Sequence, residues 1–248
     1  MKKWSATLGV QSLCFRHYET NPEVIREVQA CGLNAIELCG KHADFSNRAT
    51  FDEVIRTYRR AGVKIVAIGV QGFRNQPKIE EHFFRFVKQA GAKFMSVSFD
   101  MHAMPKCFAV ADRLAEKYNV RLGIHNHGGY DWLGNMTALD YVFQRTSPRV
   151  GLCLDTAWAM QAGLDPLKMV EKFGARLHGV HIKDFVFAPT GKVEDVVAGT
   201  GNLKLKALFA AMEKARFKGF MVIEYEGDVE KPTPAIRKCV KRVRQALA

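Results

Sequence analysis

The sequence contains no CxxC pair and no long apolar run, and these absences narrow the classes of protein to which it can belong. Its six cysteines are scattered, and a chain of 248 residues does not need disulfide bonds, so we expect reduced thiols and a cytoplasmic location. The first residues, MKKWSATLGVQSL, are interrupted by polar residues and glycine, which fits neither a signal peptide nor a membrane span. We therefore predict no membrane partner.

A glycine-rich phosphate-binding motif is also missing after the first predicted strand, where the sequence reads VQSLCFRHYETN. The segment Gly199-Thr200-Gly201 is too short for such a motif and has no strand directly before it, so we interpret it as a loop turn. No nucleotide cofactor is indicated. The same absence weighs against an open, doubly wound sheet, which is the main alternative for the fold.

The formal net charge of +12 is large enough to suggest a nucleic-acid partner. The Lys and Arg residues are, however, spread over several predicted helices, where outward faces and helix C-termini commonly carry cations. This dispersion indicates solvated faces, with attraction of an anionic substrate as the alternative. We predict no nucleic-acid partner.

Strand-like apolar runs alternate with helical patterns eight times. An alternation without consecutive strands predicts the α/β class and a closed (β/α)8 barrel (TIM barrel), and the length suits one domain over residues 1–248. The predicted strands are residues 5–12, 34–38, 63–70, 94–99, 121–125, 150–155, 177–182 and 220–225. The predicted helices after the first two are residues 79–90, 103–118, 137–145, 167–173, 203–215 and 234–246.

The first two helices carry recognisable start signals. Asn21 is predicted to cap the first helix, with Pro22 at the first helical position and Gly32 as the stop. Thr50 and Glu53 have the spacing of a capping box, which predicts that the second helix begins there and runs to Gly62.

Four of the predicted strands end on a residue that can bind a metal or carry a proton. These residues are His125 in LGIHNH, Asp155 in GLCLD, His181 in LHGVHIKD and Glu224 in FMVIEYE. Because the carboxyl ends of barrel strands open into one cup, the four side chains are expected to be neighbours. Two imidazoles and two carboxylates suit one divalent ion, Mn²⁺ or Zn²⁺ first and Mg²⁺, Co²⁺ or Fe²⁺ as alternatives, with coordination positions left open for catalysis.

The stretches LGIHNHGG, GLCLDTAWAMQAGLDP, LHGVHIKD and FMVIEYEGD, together with AIEL, resemble the xylose isomerase-like TIM barrel family. This family of sugar phosphate isomerases and epimerases has the AP endonuclease 2-type fold and also includes inosose dehydratase-type lyases and endonuclease IV. The resemblance implies that Asp155, His181 and Glu224 are metal ligands here.

The chain departs from the family pattern at two positions. Where the family usually has ENH, this chain has His125-Asn126-His127, so the relay between two metal-bound glutamates is in doubt. Trp158 stands where DTxH is common, and it is interpreted either as a stacking wall for a sugar ring or as a core residue. A second histidine after Asp155, which an endonuclease IV-type three-metal site would need, is absent.

Further polar residues lie near the strand ends. Glu37 ends the second strand and is predicted to bind substrate hydroxyl groups, with a loop cap as the alternative. Lys183 follows His181 by two residues, so it can stabilise an enolate oxygen or form a structural ion pair. His127 has the same relation to His125 and is predicted to bind substrate.

These features predict a metal-dependent isomerase or epimerase for a small carbohydrate or sugar phosphate. Glu224, His125 and Lys183 are the predicted catalytic residues, and a proton beside a carbonyl moves through an enediolate. Because the paired glutamate is absent, a lyase or dehydratase that acts on a keto-sugar or keto-inositol by β-elimination remains open. A non-catalytic sugar-binding or partner subunit is the third alternative. The sugar, the native metal and a homo-oligomeric state are also left open.

Overall fold

Eight parallel strands close into a barrel in the computed structural model, which describes residues 7–248. The strands are β1 (Leu8–Gln11), β2 (Ala35–Leu38), β3 (Lys64–Phe73), β4 (Phe94–Phe99), β5 (Arg121–His125), β6 (Val150–Asp155), β7 (Leu177–Ile182) and, after a hairpin, β10 (Phe220–Ile223). Around the barrel, β10 lies between β1 and β7, and the other strands are neighbours in chain order. The predicted (β/α)8 barrel is confirmed, although residues 5 and 6 of the first predicted strand lie outside the described residues.

Helices surround the barrel and cover its outer face. They are α1 (Asn21–Ala30), α2 (Phe51–Arg60), α3 (Pro77–Ala90), α4 (Lys106–Tyr118), α5 (Met136–Phe143), α6 (Thr156–Gln161), α7 (Pro166–Phe173), α8 (Leu205–Lys214) and α9 (Thr233–Leu247). In α2 the buried residues Phe51, Val54, Ile55 and Tyr58 recur at helical spacing and form the face that packs inward. Within residues 7–248, each helix is too short or too polar to cross a membrane.

The caps predicted for the first two helices differ from those in the structure, although α2 begins at Phe51, directly after Thr50, as predicted. Thr20, and not Asn21, caps α1, because its side chain accepts from the Glu23 N–H while Glu23 accepts from the Thr20 N–H. Thr50 makes no side-chain cap, so the predicted capping box there is wrong. Asn47 caps a 3-10 turn over Arg48–Thr50 that leads directly into α2, and this turn places Thr50 in a helical conformation.

An antiparallel hairpin of β8 (Asp184–Phe187) and β9 (Val193–Val196) follows β7. It breaks the simple alternation that the sequence predicted, as does the additional short helix α6. The hairpin strands are only partly buried, so they lack the continuous apolar pattern by which the barrel strands are recognised. Phe185 of this hairpin is buried and packs edge-on against Trp158, with ring centroids 5.1 Å apart.

Aromatic rings fill the barrel interior below the strand ends. Phe94 and Phe220 stack with centroids 5.7 Å apart, and the ring of His181 lies 6.2 Å from Phe220. Gly179 makes room for this packing, because a Cβ there would lie 2.4 Å from the Phe220 ring. These rings fill the interior below His181, and the cavity that reaches His125 and Glu224 opens at the carboxyl ends of the strands.

Asp184 connects the hairpin to the loop that precedes α8. Its two carboxylate oxygens accept four backbone N–H groups, those of Gly199, Gly201, Asn202 and Leu203, at 2.8–2.9 Å. Gly199 adopts a positive φ of 79°, which a residue without a side chain accommodates most easily. The predicted loop turn at Gly199-Thr200-Gly201 is confirmed, and a buried carboxylate holds it.

We expect Asp184→Ala to lower the free energy of unfolding by at least about 3 kcal/mol, because four N–H groups lose a charged acceptor at once. Asp165→Ala is the matched control, since Asp165 caps α7 through one bond to the Leu167 N–H and should cost about 1 kcal/mol. Urea denaturation of both variants measures the difference. Equal losses would contradict the role assigned to Asp184.

Candidate metal centre

The four predicted ligands meet at the carboxyl end of the barrel. His125 ends β5, Asp155 ends β6, His181 lies near the end of β7, and Glu224 directly follows β10. One ligand atom from each residue lies within 4.8 Å of all the others. Ligands about 2.1 Å from a shared ion are at most about 4.2 Å apart, so small side-chain rotations bring these four donors into range.

Buried polar atoms without hydrogen bonds mark the centre of this cluster. His125 Nε2 and Asp155 Oδ2 lie 3.5 Å apart, and neither has a hydrogen-bond partner within residues 7–248; the same is true of both ring nitrogens of His181. A buried polar atom without a partner is costly unless an ion or water satisfies it. The donor set therefore fits a divalent cation, and two nitrogens with two carboxylates suit Mn²⁺, Zn²⁺, Co²⁺ or Fe²⁺ better than an all-oxygen ion such as Mg²⁺.

The imidazole of His181 lies between two carboxylates. Its Nδ1 is 2.5 Å from Glu224 Oε2, and its Nε2 is 2.6 Å from Glu37 Oε2, although neither contact is aligned as a hydrogen bond. Burial disfavours the charged ring, but Cys153, Glu37 and Glu224 together raise the pKa of His181 well above its ordinary value. His181 is thus surrounded by groups that favour positive charge at this point.

Lys183 is a buried ammonium beside the cluster. Its side chain is 1% exposed, and its Nζ contacts Glu226 and lies 3.4 Å from Glu224 Oε1 and 3.8 Å from Asp195 Oδ2. Burial lowers the pKa of Lys183, but Glu224, Asp155 and Glu226 outweigh burial and raise it. Burial by itself raises the pKa of Glu224. The positive charges of Lys183 and then His181 outweigh burial, so the pKa of Glu224 is lowered. Glu224 is therefore held as a carboxylate.

Two polar residues next to the ligands in sequence tie the strand ends together. Asn126 accepts from the Asp155 N–H at 2.9 Å and donates to the Asp155 carbonyl at 3.0 Å, which joins β5 to β6. The Thr156 hydroxyl contacts the His181 and Lys183 carbonyls and accepts from the Lys183 N–H, which joins β6 to β7. Asp155 itself caps α6 with Oδ1, and this leaves Oδ2 directed to the cluster.

A cavity of about 430 Å³ opens above the cluster. Trp158 and His127 line it, and their rings stack with centroids 4.1 Å apart and planes inclined by 32°. His127 Nδ1 lies 3.2 Å from the Gly128 carbonyl oxygen, which can only accept, so Nδ1 carries the hydrogen and Nε2 is free to accept one. Other lining residues are Gln11, Cys39, Lys41, Asp131, Glu224 and Glu226.

The predicted site residues fall into three groups. His125, Asp155, His181 and Glu224 form the cluster; His127 and Trp158 line the cavity; Glu37 and Lys183 are buried beside the cluster and do not line the cavity. The sequence left a structural ion pair as one alternative for Lys183. In the structure Lys183 forms such pairs, and its partners are Glu224 and Glu226.

Sequence reasoning missed Glu226 and Asp195, which lie close to Lys183. Glu226 follows Glu224 by two residues, the same spacing that drew attention to Lys183, so the pattern EYE contained a usable signal. Asp195 lies on β9, and without the hairpin no pattern pointed to it.

Comparisons with known proteins agree with the barrel fold. Residues 25–246 match the family described as xylose isomerase-like TIM barrel. An inosose dehydratase from Geobacillus thermodenitrificans is 25% identical over 182 residues, which are 67% of this chain and 59% of that protein. The chain thus spans about three fifths of the length of that relative.

Solved structures with the same fold cover nearly the whole chain. A sugar phosphate isomerase/epimerase from Parabacteroides distasonis superposes with a TM-score of 0.75 at 15% identity, covering 99% of this chain and 96% of that one. A 3-keto-D-glucoside 4-epimerase from E. coli has a TM-score of 0.71 at 15% identity, with coverages of 97% and 99%. At these identities the likeness establishes the fold.

We expect the parent protein to bind one divalent ion per chain, and Asp155→Ala and His181→Ala to lose it, because each substitution removes a donor from a four-donor site. His178→Ala is the matched control, since His178 lies on the same strand, is buried, and contacts the Pro148 carbonyl instead of the cluster. Elemental analysis after dialysis measures the occupancy. Stoichiometric metal in either ligand variant would refute the assignment.

The buried acid Asp195 makes stability depend on pH. Burial raises its pKa to about 7, against the opposing effect of Lys183. Its folded-state pKa lies above its unfolded one, so ionisation reduces stability as the pH rises from about 4 to about 7. We expect Asp195→Asn to have a higher Tm than the parent at pH 8 and a similar Tm at pH 4. The exposed Asp165→Asn serves as control, and a Tm difference that does not vary with pH would count against this expectation.

Proposed function

We propose that this chain, which belongs to the xylose isomerase-like TIM barrel family, is a divalent-metal-dependent enzyme that moves a proton beside the carbonyl of a small carbohydrate. The observation that carries the proposal is the convergence of His125, Asp155, His181 and Glu224 beneath an open cavity. When bound there, a divalent ion polarises a carbonyl and makes the neighbouring C–H more acidic.

Two residues that line the cavity are suited to carry the proton. Glu224 is held as a carboxylate by Lys183, which makes it available but weakens it as a base. His127 presents its Nε2 from the opposite side of the ligand set, because it follows β5 whereas Glu224 follows β10. One group can remove the proton and the other can return it, which is the chemistry of an isomerase or epimerase.

The remaining cavity residues bind and orient the substrate in this proposal. Trp158 presents an indole that is fixed by His127 on one side and by Phe185 on its edge, so a sugar ring can pack against a rigid surface. Asp131 and Glu226 supply carboxylate oxygens that accept from hydroxyl groups. A cavity of about 430 Å³ suits a substrate of monosaccharide size.

A dehydratase is the second candidate, and His125 favours it. With imidazole at this position only one carboxylate, Glu224, is both ligand and proton acceptor, and β-elimination from a keto-sugar or keto-inositol needs one base. The relative named inosose dehydratase, similar over 67% of this chain, points to the same class. Both candidates begin with the same proton removal and differ in what happens next.

We expect the metal-loaded protein to exchange deuterium from ²H₂O into the carbon beside the carbonyl of at least one substrate from a panel of ketoses, keto-glycosides and keto-inositols. Glu224→Gln keeps an oxygen donor but cannot accept a proton, so exchange should fall at least about 100-fold while most of the metal is retained. Glu80→Gln, which changes a buried carboxylate that does not line the cavity, is the control and should change turnover by less than about twofold.

Proton NMR identifies the product and separates the two candidates. Return of the deuteron to the same or a neighbouring carbon indicates isomerisation or epimerisation, and release of an unsaturated ketone indicates dehydration. If Glu224→Gln lost bound metal and deuterium exchange to the same extent, Glu224 would be a metal ligand and not the proton acceptor. Absence of exchange with the whole panel, in protein shown to hold its metal, would argue against enolisation.

A further inference from the structure

Glu37 reaches the metal cluster from the other side of the barrel. It lies on β2, and β1 and β10 separate that strand from β7, so its side chain meets His181 through the barrel interior. The residue is completely buried and does not line the cavity. Its carboxylate contacts His181 of the cluster.

Each oxygen of the Glu37 carboxylate has a distinct neighbour. Oε1 accepts from the Ser96 hydroxyl at 2.5 Å, and Oε2 lies 2.6 Å from His181 Nε2 with no other hydrogen-bond partner among the described residues. Gly69 leaves the space for this pair, because a Cβ there would lie 1.6 Å from Ser96 Oγ and 2.7 Å from Glu37 Oε1. Residues on β2, β3 and β4 thus combine to place one carboxylate against one imidazole.

The two nitrogens of His181 face different groups, and this division assigns their roles. Nδ1 lies beside the candidate ligand Glu224, and Nε2 lies beside Glu37, which is not a member of the ligand set. A metal-binding histidine is oriented, and its basicity increased, when its second nitrogen donates to a carboxylate. The 2.6 Å contact between Nε2 and Glu37 Oε2 is within hydrogen-bond distance, although it is not aligned as a hydrogen bond.

We propose that Glu37 is a positioning residue of the metal centre: it accepts the Nε2–H of His181 and presents Nδ1 as the lone-pair donor to the ion. This inference rests on the metal site of the proposed function but not on any reaction. It replaces the substrate contact that the sequence suggested for Glu37, and it gives Ser96 a part in the site as the group that orients the carboxylate.

Metal affinity without substrate is the measurement that tests this role. We expect Glu37→Gln to weaken Zn²⁺ and Mn²⁺ binding by about 10- to 100-fold in calorimetric titrations, because a neutral amide is a weaker acceptor for Nε2–H. Glu80→Gln is the matched control: Glu80 is also a buried glutamate, but it accepts from the Arg74 and Gln76 N–H groups, far from any ligand. Its metal Kd should stay within about twofold of the parent's.

A spectroscopic readout distinguishes positioning from a general loss of stability. The visible absorption of bound Co²⁺ should shift in Glu37→Gln and not in Glu80→Gln, since only the former changes the orientation of a ligand. If Glu37→Gln does not fold, Ser96→Ala decides, because it frees the carboxylate without removing it and should weaken metal binding by a smaller factor.

An unchanged metal Kd in Glu37→Gln, or in Ser96→Ala where that variant decides, would overturn the proposal. A parent protein that binds no divalent ion would also overturn it, together with the metal site itself. Failure to find a carbohydrate substrate would leave this test unaffected, so the two proposals can fail separately.

Discussion

The structure depends on how negative charge is balanced inside the barrel. Glu37, Asp155 and Glu224 place three carboxylates around one point with almost no access to water, and Lys183 is the buried ammonium among them. Isolated charges in such surroundings are costly, so they persist only with counter-charges or a metal. The divalent ion that the four donors fit would add positive charge to this group of carboxylates.

The fold and the convergence of the four candidate ligands were largely predictable because both depend on short-range pattern. Apolar runs such as residues 63–70 are recognisable as barrel strands, and a barrel brings the ends of β5, β6, β7 and β10 together whatever the details. His125 and Glu224 could therefore be placed near one another although they are 99 residues apart in the sequence. The six free cysteines agree with the expectation of reduced thiols.

What could not be predicted depends on contacts across the barrel or on weakly patterned segments. Nothing in the segment AIEL indicates that the Glu37 side chain extends across the barrel interior to His181. That contact depends on the small side chain of Ser96 and on the absence of a side chain at Gly69, which lie on two other strands. The hairpin that carries Asp195 is short and half-exposed, so neither its strands nor its acid had a sequence signal. The helix caps differed for a similar reason, since Thr20 caps α1 in place of Asn21, and Thr50 already belongs to a 3-10 turn that Asn47 caps.

Asn126 and Thr156 join neighbouring strand ends by hydrogen bonds, and this has a consequence for how such a site evolves. Each residue adjoins a ligand in the sequence, yet it fixes only backbone groups of the neighbouring strand, so the Cα positions of the ligands are set independently of the side chains they carry. An exchange of carboxylate for imidazole at position 125 then alters the ion that is preferred without moving the strand ends. The backbone scaffold can therefore be inherited while the metal-binding side chains change. Proteins of a single lineage can then bind different metals on an unaltered backbone.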